Sequence, residues 1–128
     1  MLVVDDLEDA HLFVRRAASM VSEDINYIEL RDGQDLVEYA RCADNLAPDI
    51  VLLDIDMLRM DGIEALGKVR KTEMLKETPI IMMSVSNAQT HIDSAFAAGA
   101  TNYFEKPGTV RDYVDCIKLA LEYLHEQH

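Results

Sequence analysis

Positive charge is scarce in this chain: 12 Lys and Arg face 24 Asp and Glu, for a formal net charge of −12. Direct binding to nucleic acid or to an anionic membrane surface depends on positive charge, so neither is expected. Long apolar runs are missing too. No segment approaches membrane-spanning length, and the start has no signal-peptide pattern. Only two cysteines occur, Cys42 and Cys116, far apart inside expected helices and without metal-type pairing. They read as reduced structural thiols of a cytosolic, cytoplasmic protein. His11, His91, His125 and His128 lack ligand spacing and read as surface or helix-packing residues. There is no internal repeat, low-complexity tract or linker.

What is present is a steady alternation. At 128 residues, 49% apolar and 28% charged, the chain is long enough for one domain with a real core. Strand-like runs fall at residues 1–4, 25–30, 50–54, 80–84 and 101–104. Between them lie helical patterns. Phe13, Ala17, Met20 and Val21 recur on one helix face, and Val110, Tyr113, Val114, Ile117, Leu121 and Leu124 do so near the end. Capping acceptors are expected at Asp32, Ser86 and Thr109, and Gly99 fits a helix stop. Five strand–helix units predict an α/β fold, a parallel sheet with helices on both faces. The methionines, including Met82-Met83, read as core filling.

The acids at the strand ends carry the chemistry. Ile50-Val51-Leu52-Leu53 reads as a strand buried on both faces, yet it runs into Asp54, with Asp56 two residues on. Leu2-Val3-Val4 likewise runs into Asp5-Asp6. Ligands in open α/β sheets bind at the carboxyl ends of strands, where the strand order reverses. For the order 2-1-3-4-5 that point lies between the first and third strands, the two that end in acids. Like charges about 4 Å apart repel by roughly 4 kcal/mol at an effective dielectric near 20. A divalent cation converts that cost into binding, and an all-oxygen ligand set favours Mg²⁺, with Mn²⁺ as a substitute. Ser84, closing the fourth strand, offers a hydroxyl, and Lys106, after the fifth, a positive charge. A carboxylate nucleophile, a cation, a hydroxyl and an ammonium are the parts for phosphoryl transfer onto an aspartate.

Several motifs occur in order: Leu2-Val3-Val4-Asp5-Asp6, Pro48 through Asp54, Met60-Asp61-Gly62, Pro79 through Ser84, and Lys106-Pro107. With them the chain resembles the receiver domains of two-component response regulators over residues 1–128. The resemblance implies a flavodoxin-like (βα)5 fold of order 2-1-3-4-5. It implies Asp54 as phosphoacceptor and Mg²⁺ held by Asp5, Asp6, Asp54 and the Asp56 backbone carbonyl. It further implies Ser84 as switch hydroxyl, Tyr103 as switch aromatic, Lys106 as phosphate-binding lysine, and a cis bond before Pro107. The implied partners are a sensor histidine kinase or histidine phosphotransfer protein and a downstream protein. A homodimer is a further option, through the face formed by the fourth helix, fifth strand and fifth helix. Residues 71–78 and 99–103 look like the stand-alone receivers that serve phytochrome-type kinases. The last helical pattern runs to the end of the sequence, which fits a stand-alone receiver or a fragment of a larger regulator.

Four residues depart from the family pattern. Leu58 stands where proline is usual, which predicts a looser loop. Val85 replaces a small residue next to Ser84 and is expected to narrow access to a phosphoryl group. Asp56 is expected to modulate phosphate lifetime, and Gly108 replaces a bulky apolar residue. Two rival functions use the same residues. A haloacid-dehalogenase-type phosphatase shares the apolar run followed by Asp54-Ile55-Asp56, but its acidic pair comes late, whereas Asp5-Asp6 comes first. A phosphate-independent interaction module would need no intact set of Asp5, Asp6, Asp54, Ser84 and Lys106. The expected function is a phosphorylation-dependent switch rather than a metabolic enzyme.

Overall fold

Short apolar strands separated by amphipathic helices bury their surfaces best in a parallel sheet covered on both faces. The computed structural model, which describes residues 1–22 and 24–126, has this arrangement. In chain order the elements are β1 (Leu2–Val4), α1 (Glu8–Val21), β2 (Ile28–Leu30), α2 (Gly33–Arg41), β3 (Val51–Asp54), α3 (Gly62–Val69), β4 (Ile80–Ser84), α4 (Gln89–Ala98), β5 (Asn102–Glu105) and α5 (Val110–Glu126). One sheet has the order β2-β1-β3-β4-β5, with every pairing parallel. The expected flavodoxin-like fold and strand order are observed. Among the described residues no helix is long and apolar enough to cross a membrane. His128 lies outside the described residues, as does the side chain of His125.

Period-two alternation divides the core between the two faces of the sheet. Leu2, Val4, Val51, Leu53, Ile80 and Met82 pack with Leu36 and Val37 of α2, Leu66 and Val69 of α3, and Ala95 of α4. Val3, Leu52, Ile81 and Met83 face the other way, onto Ala10, Val14 and Ala17 of α1 and Tyr113, Ile117 and Ala120 of α5. Met82 and Met83 therefore fill opposite layers. A strand with both faces covered has to be continuously apolar, which is why β3 reads as it does before Asp54.

The ends of several elements differ from expectation, and β1 and β3 each begin one residue later than expected, at Leu2 and Val51. β2 covers three residues rather than six: Ile28 N–H pairs with the Met1 carbonyl at 2.9 Å and the Met1 ammonium meets the Asn26 carbonyl at 3.0 Å, both ahead of the β1 ladder. β5 is displaced by one residue, with Ser84 opposite Glu105. Cys42 stands exposed at the C-cap of α2 rather than inside it. Ser86 accepts the Ala88 N–H at 3.2 Å and so forms a turn just before α4, whose N-cap position is Ala88. The other caps are as expected: Asp32 accepts from Asp35 N–H at 2.8 Å and Thr109 from Asp112 N–H at 3.1 Å. Gly99, at φ 111°, ends α4 in a left-handed conformation that favours glycine. Cys116 is buried in α5, and burial pushes its thiol up to about 12.

Candidate functional site

Each parallel strand delivers its carboxyl end to one edge of the sheet, so residues remote in sequence converge there. Asp5 and Asp6 follow β1, Asp54 ends β3, Ser84 ends β4 and Lys106 follows β5. Asp5, Asp54 and Ser84 are fully buried, while Asp6 is partly exposed. Gly62 opens α3 against the end of β3, where a Cβ would lie 2.4 Å from the Asp54 carbonyl oxygen. Only glycine allows that approach. Asp61 caps the same helix by accepting the Glu64 N–H at 2.8 Å, a role that Asp61 three residues before Glu64 already signals in the sequence.

The three acids form one cluster. One carboxylate oxygen from each of Asp5, Asp6 and Asp54 lies within 4.8 Å of the others. The Lys106 ammonium stands 2.9 Å from Asp5 Oδ2 and 3.1 Å from Asp54 Oδ2, bonding to the latter. Burial pulls its pKa down, but the hydrogen bond and charge of Asp5 and the charge of Asp54 outweigh this, so the net shift is upward. The Asp54 carboxyl is pushed from 3.8 up to about 6, chiefly by burial and then by the charge of Asp5. Lys106 and the Asp56 N–H offset part of that shift. One lysine does not balance three acids. Asp5 Oδ2 is buried and shares the Lys106 ammonium with Asp54, so the three carboxylates fit a hard divalent cation held by oxygen. His11, fully buried in α1, sets its Nε2 2.8 Å from the Asp5 carbonyl and backs the cluster from below.

The loops above the acids are tied to them. Leu58 N–H donates to Asp6 Oδ2 at 3.3 Å, a bond that proline could not make because it has no N–H. The β3–α3 loop is therefore anchored where its leucine predicted looseness, although the Leu58 side chain is 97% exposed. Ser84 does not bond Asp54. Its hydroxyl donates to Asp56 Oδ2 at 2.9 Å, and the Val85 N–H reaches the same oxygen at 3.2 Å. The Val85 side chain is largely exposed. Tyr103 is half-buried, and its hydroxyl donates to the Ser86 carbonyl at 2.5 Å. No cis peptide bond occurs among the described residues. The bond before Pro107 is trans, contrary to expectation. Trans is the intrinsically preferred isomer by about 0.5–1 kcal/mol, and in it Lys106 still reaches both acids.

One structural residue gave no signal in the sequence. Arg70, at the end of α3, donates to the carbonyls of Leu75 (2.6 Å), Thr78 (2.6 Å) and Gly99 (2.9 Å) and to Thr101 Oγ1 (3.3 Å). It staples the loops at the end of the molecule opposite the acids.

The fold is that of a flavodoxin-like α/β protein, with an acidic cluster at the switch point between β1 and β3. The chain belongs to the response regulator receiver domain family, whose model matches residues 1–118. It is a signalling domain of two-component systems, not a classical enzyme, and the phosphatase alternative is set aside. The chain is 31% identical over 121 residues to the transcriptional regulatory protein PdtaR of Mycobacterium tuberculosis, covering 93% of this chain and 56% of that one. It thus spans about half the length of that relative. Two solved structures show the same fold. A phosphorylated cyanobacterial phytochrome response regulator, RcpA, superposes with a TM-score of 0.85 at 21% identity, covering 99% of this chain and 94% of that one. The Mn²⁺-bound form of the response regulator Rcp1 does so with a TM-score of 0.79 at 21% identity, over 91% and 87%.

Proposed function

We propose that Asp54 is the phosphoacceptor of this receiver, with Asp5, Asp6, Asp54 and the Asp56 carbonyl holding Mg²⁺ or Mn²⁺. The observation that carries the proposal is the convergence of three carboxylates within 4.8 Å beneath the Lys106 ammonium. The donor is a phosphohistidine of a sensor kinase or a histidine phosphotransfer protein. An Asp54 oxygen attacks phosphorus in line; the new P–O bond forms as the P–N bond breaks, and the imidazole leaves with the electron pair and takes a proton from solvent. No base is needed, because an acid titrating near 6 is mostly ionised at neutral pH. Lys106 follows the charge from the carboxylate to the phosphoryl oxygens. A bound divalent cation supplies further neutralisation of those oxygens.

The product carries added negative charge at the edge of β3, close to Ser84 and the β4–α4 loop. Through Ser84 and Tyr103 it biases the surface made by α4, β5 and α5, which a downstream protein or a second copy of the chain reads. We place the domain, residues 1–128, in the cytoplasm, where such kinases present their phosphohistidine. The likeness to phytochrome-associated receivers supports a light-sensing kinase as donor. Incubation with a small phosphodonor and Mg²⁺ tests the reading: the intact mass is expected to rise by one phosphoryl group in the parent and not in Asp54→Asn. Failure of the parent to acquire phosphate would favour a phosphate-independent interaction module.

A further inference from the structure

A hydroxyl has one proton to donate, and in this structure that of Ser84 is already committed. It goes to Asp56 Oδ2 at 2.9 Å, and the Val85 N–H goes to the same oxygen at 3.2 Å. On its acceptor side, Ser84 Oγ takes the Ser86 N–H at 3.1 Å. The Ser86 carbonyl in turn accepts the Tyr103 hydroxyl at 2.5 Å. A continuous chain of hydrogen bonds thus runs from Asp56 through Ser84 and Ser86 to Tyr103. Asp56 also touches the other end of the site, since its N–H donates to Asp54 Oδ1 at 3.3 Å. Asp56 itself is an exposed loop residue, whereas Ser84 is fully buried.

We infer that the Asp56 carboxylate is an internal anion seated on the Ser84 hydroxyl and the Val85 N–H, and that a phosphoryl group arriving on Asp54 has to displace it. The displacement rests on the reading of Asp54 as phosphoacceptor; the seat itself is a property of the resting protein. Two consequences follow from the geometry. An anionic phosphodonor meets a carboxylate where it needs a donor, so Asp56 weakens its binding more than it slows the chemistry. Because Ser84 links Asp56 to Ser86 and Ser86 to Tyr103, loss of the Asp56 seat is expected to be felt at the Tyr103 hydroxyl. Asp56 is in this sense a positioning residue, acting on the reaction through Ser84.

The test compares the parent with Asp56→Ala and Asp56→Asn, both in an exposed loop, with the tyrosines fluorine-labelled and Tyr103 assigned through Tyr103→Phe. Without phosphodonor, Asp56→Ala is expected to move the Val85 amide proton upfield and shift the Tyr103 fluorine signal. Asp56→Asn keeps an acceptor oxygen and is expected to stay close to the parent. With phosphoramidate and Mg²⁺, Asp56→Ala is expected to lower the half-saturating donor concentration about five- to tenfold, the equivalent of one hydrogen bond, and Asp56→Asn, which keeps the seat without the charge, by less. Val85 and Tyr103 signals in Asp56→Ala that superimpose on the parent's would overturn the seat. Unchanged half-saturating concentrations in both variants would overturn the displacement. If no protein is labelled, the phosphoacceptor reading fails and the displacement with it, while the resting signals still decide whether Asp56 holds Ser84.

Discussion

Replacing Asp54 with asparagine is expected to make this protein more stable at neutral pH, although it removes the proposed phosphoacceptor. Burial and the neighbouring Asp5 raise the Asp54 carboxyl from 3.8 to about 6. That displacement corresponds to about 3 kcal/mol favouring the neutral form in the folded state. Between pH 3.8 and about 6 the folded protein binds more protons at this site than the unfolded chain does. Stability from this group is therefore fullest below 3.8 and is lost as pH rises through about 6. Asparagine is neutral at every pH and escapes the loss. Its amide oxygen can still accept from Lys106, which also keeps Asp5 at 2.9 Å, and the pull of Lys106 on the Asp54 charge is already counted in the shift. The net gain above pH 7 is therefore about 2–3 kcal/mol. Urea unfolding in EDTA, which removes divalent cations, measures it at pH 8 and again at pH 4, where the gain should vanish. An Asp54→Asn protein less stable than the parent at pH 8, or a difference that does not change with pH, would refute the electrostatic argument.

Three further outcomes are expected. Mg²⁺ at about a hundred times its Kd should stabilise the parent by about 2.7 kcal/mol in thermal unfolding and leave Asp5→Asn nearly unmoved, because Asp5 is the buried member of the acid cluster. Arg70→Met should lower the urea-unfolding free energy by about 2–4 kcal/mol, since it strips donors from three carbonyls while leaving the acid cluster alone. Val85→Ala should shorten the lifetime of the phosphorylated form, read by the decay of the phosphorylated mass, and an unchanged lifetime would remove Val85 as a guard of the site.

The sheet was legible because it depends on periodicity. Strands covered on both faces must be apolar throughout, and acids that end such strands mark the edge where a parallel sheet exposes its ligand-binding side. Asp5, Asp6, Asp54 and Lys106 converge for that reason. Residues 25–27 carry strand-like residues, but β2 begins at Ile28, and no local pattern records where a neighbouring strand begins. The trans bond before Pro107 and the anchored Leu58 loop show a similar limit: an inherited motif predicts what a family does, whereas the backbone N–H of Leu58 is set by this residue alone. Arg70 was invisible because three of its four acceptors are backbone carbonyls, which every residue has. The Asp56–Ser84 bond was invisible for another reason. Sequence places both residues at the site, but only geometry shows which of its neighbours receives the hydroxyl proton of Ser84.

The central claim is that the acid at the end of β3 receives a phosphoryl group. Intact-mass measurement after incubation with phosphoramidate and Mg²⁺, on the parent and on Asp54→Asn in parallel, tests it most directly. The account predicts a gain of one phosphoryl group in the parent, abolished by EDTA and absent in the variant. A parent that stays at its starting mass, or an Asp54→Asn protein that gains as much, would contradict it.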